Sequence, residues 1–247
     1  MTRRDRIAHS FSKASATYNG AAELQTRAAQ SLAARVLKHN WDRPRILEIG
    51  CGTGGLTHLL LPRLPGQWII SDIAQSMLDT VQTHFPTPHA EFRILDGEHP
   101  ELDDTSLDLI VSNLAIQWFE DLPGALERLA QCLAPKGRLI MTTLGHSSLT
   151  EWQSAVAATG YKAGTPQYPT AQDLALMLPQ MTVSSQTITM TYGSAEEFLK
   201  SLKAIGATIP ANGYKPMPTP ILRQAMTRLG APCQISYEVL TLDWVKP

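Results

Sequence analysis

Cysteine is scarce in this chain. Cys51, Cys132 and Cys233 lie far apart, with no CxxC pair and no zinc-ligand spacing among them. A disulfide framework is excluded, no metal is expected, and a reduced, cytoplasmic protein is the simple reading. Long apolar runs are missing as well: none reaches the ~18–20 residues that a membrane span needs. The N-terminus, Met1 to Arg6, is basic, but His9, Ser10, Ser12 and Lys13 flank Ala8 and Phe11, so no secretory leader is expected. Acid–base apparatus is thin. There is no HExxH, no candidate Ser-His-Asp set and no paired catalytic acids, and the seven histidines are scattered.

What is present is an ordinary globular composition, 43% hydrophobic over 247 residues, enough for a sizeable core. The net charge of −1 hides an asymmetry. Residues 1–45 hold nine Lys/Arg and three Asp/Glu, residues 46–199 six and seventeen, and residues 200–247 six and two. Basic ends therefore flank an acidic middle. They are either solvated surface or a docking site for an anionic substrate or partner.

Residues 1–40 read as a helical arm, with an apolar face from Ala21 to Leu37 at a 3.6 period and a break at Asn19-Gly20. The chain then alternates. Strands are expected at 45–49, 68–71, 90–95, 107–112 and 138–143, and helices from about Leu56, at 75–83 and at 122–133. This is the signature of βαβ units and a doubly wound, mostly parallel sheet. Further on, Ser148-x-x-Glu151 and Ser194-x-x-Glu197 read as capping boxes. Thr219-Pro220 opens a helix with Pro at its first position. Strands are expected at 187–192 and 234–245. Residues 193–232 interrupt these last two strands, and their segment 209–220, with four prolines and Asn212-Gly213, reads as an exposed loop. An insertion of that size usually covers a site.

The densest signal is Ile46 to Gly55, where a strand runs into alternating glycines and then a helix. Glycines let a ligand lie against the backbone, and the helix N-terminus offers free N–H groups. Gly50, Gly52 and Gly55 fit the dinucleotide fingerprint G-x-G-x-x-G. Glu48 with Gly50, Gly52 and Gly54 resembles the acidic-x-G-x-G-x-G pattern of S-adenosylmethionine sites. A carboxylate at position 48 repels a pyrophosphate but can hold a methionyl ammonium, which favours the second reading. Asp72, followed by Ile73, closes the second strand and suits two ribose hydroxyls under either reading. Asp96, with Gly97 and Glu98, suits an adenine amino group. Asn113 puts a polar tip at the end of the fourth strand.

Glu48–Gly54, Asp72 with Met77-Leu78, Asp96-Gly97-Glu98, Asp108–Asn113 and the turn Leu133–Arg138 together resemble the class I S-adenosylmethionine-dependent methyltransferases over residues 45–145. Ala74 departs from the serine common there, which puts a helix cap in doubt. A narrower resemblance spans the chain. Phe11–Tyr18, Ser112–Trp118 and Ser201–Thr208 are similar to the malonyl-acyl carrier protein O-methyltransferase family of biotin synthesis. That resemblance implies methyl ester formation on the free carboxylate of a malonyl thioester, with acyl carrier protein as partner. No nucleic-acid or membrane partner is expected.

A carboxylate is already ionised at pH 7 and needs no general base. It needs placement, desolvation and an orienting group. Tyr18 in the arm, Gln117 and Trp118 after the fourth strand, and Lys203 in the insertion are the substrate-facing candidates, each with simple packing or solvation as the alternative. The expected fold is one Rossmann-like α/β methyltransferase domain over 1–247. Its parts are a helical arm (1–40), a cofactor core (45–145), a helical cap insertion (193–232) and an antiparallel last strand. Rival readings are a methyltransferase for a quinone precursor or a small polycarboxylic acid, a nucleotide-binding oxidoreductase, and a non-catalytic binding module.

Overall fold

The computed structural model describes residues 2–15, 17–211 and 213–247. Met1, Ala16 and Asn212 lie outside the described residues, and with them part of the basic start, one position of the Phe11–Tyr18 motif and half of the expected Asn212-Gly213 turn. Seven strands form a single sheet: β1 (Arg45–Ile49), β2 (Gln67–Asp72), β3 (Ala90–Ile94), β4 (Leu107–Asn113), β5 (Leu133–Leu144), β6 (Thr182–Tyr192) and β7 (Cys233–Val245). Their order is β3-β2-β1-β4-β5-β7-β6. β7 runs antiparallel to both of its neighbours, and the other pairings are parallel.

The chain winds outward from β1 in one direction and from β4 in the other. The crevice between these two strands is where an open α/β sheet binds its ligand. Their register sets Ile49 beside both Ser71 and Ser112, so the glycine loop after β1 emerges next to the tips of β2 and β4.

Helices cover both faces. On one side, α2 (Glu23–Val36), α3 (Gly55–Leu60) and α4 (Gln75–His84) bury Leu32, Val36, Leu60 and Val81 against Ile46, Ile70 and Val111. On the other, α5 (Leu122–Cys132) packs Leu126 and Leu129 on Leu47, Ile110 and Met141. Leu24, Ala28, Ala29, Leu32, Ala33 and Val36 are the buried stripe of α2, as its 3.6 period requires. A charged cluster fastens α2 across the far end of the sheet. Asp243 accepts from Arg35 at 2.9 Å and Arg138 at 2.6 Å.

The helix α1 (Arg3–Ala14) opens on a capping box between Thr2 and Asp5. A short 3-10 turn, Tyr18–Gly20, separates it from α2. After β5 come α6 (Thr150–Ala157) and α7 (Ala171–Ala175). The insertion between β6 and β7 carries α8 (Ala195–Ala204) and α9 (Thr219–Leu229).

Several local expectations are corrected. Ser148-x-x-Glu151 is not a capping box. Leu149 precedes α6 in the left-handed region, the Ser148 hydroxyl exchanges hydrogen bonds with the Glu238 backbone, and Glu151 accepts from Ser236 N. Both side chains are drawn to β7, where tertiary partners outcompete the local ones. Ser194 does cap α8, but the Glu197 carboxylate accepts from Gly193 N rather than from its own cap residue. Pro220 is the second residue of α9, not the first. β6 begins five residues earlier than the sequence suggests and β5 takes in the 133–138 turn. The capping box that opens α7, Thr170 with Asp173, escaped the sequence reading.

Candidate active site

Two cavities open at the C-terminal ends of the strands. The smaller, about 320 Å³, lies over the glycine loop. Its lining includes Gly50, Gly52, Asp72, Ile73, Met77, Asp96, Gly97, Glu98 and Asn113. Nine of the eleven residues picked from the sequence for cofactor binding therefore meet around one space. Gly50 and Gly52 both have positive φ, +65° and +55°, and each serves a different end. A Cβ on Gly50 would sit 2.5 Å from that of Ala115, so this glycine is required by packing. A Cβ on Gly52 would meet nothing closer than the Tyr18 hydroxyl at 3.8 Å, and Gly52 lines the cavity. That glycine leaves room for a ligand.

Asp72 closes β2 with its carboxylate gripped by backbone. The N–H groups of Gly52 and Ala74 each donate to it at 2.9 Å. Burial pushes its pKa up, and these N–H groups oppose the shift. At the other end of the cavity Asp96 accepts from Glu98 N at 3.1 Å and pairs with Arg4 of α1 at 3.1 Å. The Glu98 carboxylate turns away to accept from the N–H groups of Glu120 and Asp121 beside α5. Asn113 is also spoken for: its Nδ2 donates to the Gln25 carbonyl and its Oδ1 accepts from Thr142. Its amide therefore locks α2 to the tip of β4.

The other two of the eleven lie elsewhere. Gly54 sits at the N-cap of α3, its Cβ direction facing Val81 of α4 and Phe85 just after it, and lines neither cavity. Glu48 is buried behind the loop, where it accepts from the Thr57 hydroxyl at 2.8 Å, and it too is absent from both cavity walls. Burial raises its pKa to about 8. Burial thus favours the neutral form of Glu48, which braces the loop against α3. Its folded pKa lies above the ordinary 4.5. The stability it lends is therefore full below that value and lost as pH rises through about 8. Glu48→Gln keeps the neutral shape. We expect it to retain cofactor affinity within about threefold and to flatten the fall of Tm across that window, in a pH series of thermal melts.

The larger cavity, about 560 Å³, lies under the insertion. Apolar and aromatic side chains dominate its walls, among them Trp152, Met190, Tyr192 and Tyr237. Four residues, Phe11, Tyr18, Leu114 and Trp118, line both cavities and form the passage between them. Phe11 and Trp118 meet edge to face at 5.6 Å. Burial, with Asp72 and Cys51 nearby, drives the Tyr18 phenol well above its usual pKa, so Tyr18 stays protonated and able to donate.

The arm and the insertion close over this passage together. The Ser10 hydroxyl donates to the Gly206 carbonyl at 2.8 Å, and the Thr17 hydroxyl to the Ala204 carbonyl at 2.9 Å. Among the substrate candidates, Tyr18 and Trp118 line the passage and Gln117 lines the larger cavity. Lys203 does not: it is exposed and lines neither. Burial of Ala195 and Phe198 fixes the rotation of α8, which turns Glu197, Lys200, Ser201 and Ala204 to the cavity and Lys203 outward. Lys200 is the lysine of α8 that lines the cavity. Leu114 and Gln25 carried no individual signal in the sequence.

Residues 47–141 match the family model described as a methyltransferase domain. Among curated proteins the chain is 41% identical over 98% of its length to the biotin biosynthesis bifunctional protein BioCD of Bordetella avium, and it spans 52% of that longer protein. It is 35% identical over 91% of its length to the malonyl-[acyl-carrier protein] O-methyltransferase of Magnetococcus marinus, 85% of which it covers. The chain belongs to the malonyl-[acyl-carrier protein] O-methyltransferase family. At the level of fold, a Haemonchus contortus phospholethanolamine N-methyltransferase 2, solved in complex with S-adenosylhomocysteine, superposes on the whole chain with a TM-score of 0.64 at 14% identity; the chain covers 61% of it.

S-adenosylmethionine is the methyl donor of this family, and the residues of the smaller cavity fit it. Asp72 is a fixed acceptor for a diol, Asp96 an acceptor for an exocyclic amine, and Ile73, Met77, Leu95 and Phe119 give apolar walls for a flat ring. No helix is long and apolar enough to cross a membrane, and no cluster of metal-ligating side chains occurs, both among the described residues.

Proposed function

We propose that this protein methylates the free carboxylate of a malonyl thioester on acyl carrier protein, giving the malonyl methyl ester from which the pimeloyl part of biotin is built. The observation that carries this reading is the passage shared by the two cavities. A smaller cavity that carries Asp72 and Asp96 meets a larger one walled by Trp152, Tyr168, Tyr192 and Tyr237, at a collar of Phe11, Tyr18, Leu114 and Trp118 that holds no carboxylate or imidazole. Within one chain, the arm at 1–40, the core at 45–145 and the insertion at 193–232 then have distinct tasks: covering the cofactor, holding it and covering the substrate.

S-adenosylmethionine, when bound, supplies an electrophilic methyl group. The chain's own residues do the rest. Phe11 and Leu114 narrow the passage and keep water out, which raises the energy of a carboxylate lacking hydrogen bonds. The Tyr18 hydroxyl and the Trp118 indole N–H are the donors within the collar. They hold the carboxylate and leave one of its lone pairs aimed at the cofactor cavity. Since Tyr18 does not ionise near neutrality, it orients without taking a proton. The reaction asks for none to be taken.

The basic ends suit an acidic carrier. Lys13 at the end of α1 and Lys200 and Lys203 on α8 flank the point where arm and insertion meet. If these charges guide the carrier, activity on malonyl-carrier protein falls as salt rises, because exposed charges are screened beyond ~8–10 Å. Activity on a short malonyl thioester then falls much less. An initial-rate series from low to high salt with both substrates tests this, and equal salt sensitivity removes the docking role.

A further inference from the structure

Three tyrosines from three segments meet in the wall of the larger cavity. Tyr168 lies in the loop between α6 and α7, Tyr192 ends β6, and Tyr237 sits in β7 opposite Ile188. All three pack with Trp152, Phe198 and the collar residue Leu114 in one apolar cluster. The Phe198 ring holds Tyr192 on one side at 5.5 Å and Trp152 on the other at 5.9 Å. The hydroxyls of the three are short of partners. Those of Tyr192 and Tyr237 are 3.3 Å apart and, among the described residues, bond each other alone. Such a pair uses one hydrogen and leaves the second over. The Tyr168 hydroxyl has no partner among the described residues. It is not sealed away, because the buried side-chain oxygens and nitrogens without a hydrogen bond are Gln25 Oε1 and Gln117 Oε1. It therefore keeps open surface on a half-buried residue that lines the cavity.

Burial pushes the Tyr168 pKa up to about 12 and also drives that of Tyr237 upward, with Tyr192 and Tyr168 beside it adding to the shift. These phenols stay protonated near neutrality and able to donate. A hydroxyl hydrogen without a protein acceptor, set in an apolar wall, calls for an acceptor from the ligand. The substrate chain carries three kinds of acceptor: the malonyl carboxylate, the thioester carbonyl and the amide carbonyls of the pantetheine arm. The carboxylate belongs at the collar, where Tyr18 and Trp118 border the cofactor cavity. Phenols with no cation among them suit the neutral oxygens behind it. The size of the cavity agrees: about 560 Å³ is far more than a three-carbon acyl group occupies, so it has room for the chain that follows.

We infer that Tyr168 and the Tyr192–Tyr237 pair donate hydrogen bonds to a neutral carbonyl oxygen of the chain behind the carboxylate, that of the thioester or of the first pantetheine amide. They act as positioning residues: by fixing the chain they set how far the carboxylate reaches into the collar. This rests on the malonyl-thioester reading and adds to it.

Two variants test it. Tyr168→Phe removes the unpaired hydroxyl, and Tyr192→Phe combined with Tyr237→Phe removes the pair without orphaning either member. Every ring stays in place, and thermal melting with S-adenosylmethionine titration checks the fold. Three substrates are compared by kcat/KM, or by Ki where one is not turned over. Malonyl-N-acetylcysteamine has both carbonyls. The S-pentyl malonyl thioester lacks the amide, and the thioether acid has a methylene in place of the thioester carbonyl. On malonyl-N-acetylcysteamine each variant should lose about three- to tenfold, more in KM than in kcat. The loss should vanish on the S-pentyl thioester if the amide carbonyl is the acceptor, and on the thioether acid if the thioester carbonyl is; either result supports the inference. An equal loss on all three overturns it, because the phenols then serve the carboxylate or the fold alone. So does wild-type kcat/KM in both variants. A wild type that methylates malonyl-carrier protein but binds none of the three also overturns it. Failure on malonyl-carrier protein itself is a different result, and it removes the parent reading.

Discussion

Replacing Gly52 by valine is expected to abolish S-adenosylmethionine binding in a protein that still folds. Gly52 lies at φ +55°, where a branched residue is strained by roughly 1–2 kcal/mol, a cost a protein of this size can absorb. No protein atom lies within 3.8 Å of the new Cβ, so the fold itself offers no clash. The branched side chain instead fills the floor of the cofactor cavity. Calorimetric titration should show affinity lowered by more than about 100-fold, and a thermal melt should show a cooperative transition within a few degrees of wild type. Gly50→Val is the contrasting control. Its Cβ would meet Ala115 at 2.5 Å, so it should disrupt the loop and depress the melting temperature itself. Normal affinity in Gly52→Val would show that the cofactor lies elsewhere.

Tyr18→Phe is expected to slow methyl transfer by on the order of 10–100-fold while barely changing cofactor affinity. The ring stays and continues to fill the collar, so only the hydroxyl donor is lost. A hydrogen bond to a charged group is worth ~1.5–3 kcal/mol, and each 1.36 kcal/mol is tenfold in rate. Single-turnover rates with malonyl-carrier protein separate this loss from binding. A Tyr18→Phe enzyme with wild-type turnover would assign the carboxylate to Trp118 or to another donor.

The core was legible in the sequence because its signals are local. Alternating strands and helices, a strand ending in Gly50-Cys51-Gly52, and acids closing β2 and β3 follow the chain's own periodicity. The parallel sheet then brings those strand ends together without further information. The arm and insertion motifs were legible as a pair for a reason the structure supplies. Ser10 and Thr17 on one side bond the Gly206 and Ala204 carbonyls on the other. What was not legible depends on contacts far apart in sequence or on the rotation of a helix. Lys203 falls on the exposed side of α8, because burial of Ala195 and Phe198, both in the first turn of a ten-residue helix, decides that rotation. Glu48 reads as a ligand-facing anion until Thr57, nine residues on, is seen to hold it behind the loop. Asp243 gave no signal at all, since its partners Arg35 and Arg138 lie 208 and 105 residues away.

The central claim is that the carboxylate of a carrier-bound malonyl group takes the methyl. Intact-protein mass spectrometry of malonyl-carrier protein, incubated with this enzyme and S-adenosylmethionine, tests it most directly, with acetyl-carrier protein alongside. The account predicts a gain of one methylene on the malonyl form, which leaves with the acyl group when neutral hydroxylamine cleaves the thioester, and no change on the acetyl form, which has no free carboxylate. An unchanged malonyl-carrier mass, or equal methylation of the acetyl-carrier, would contradict it.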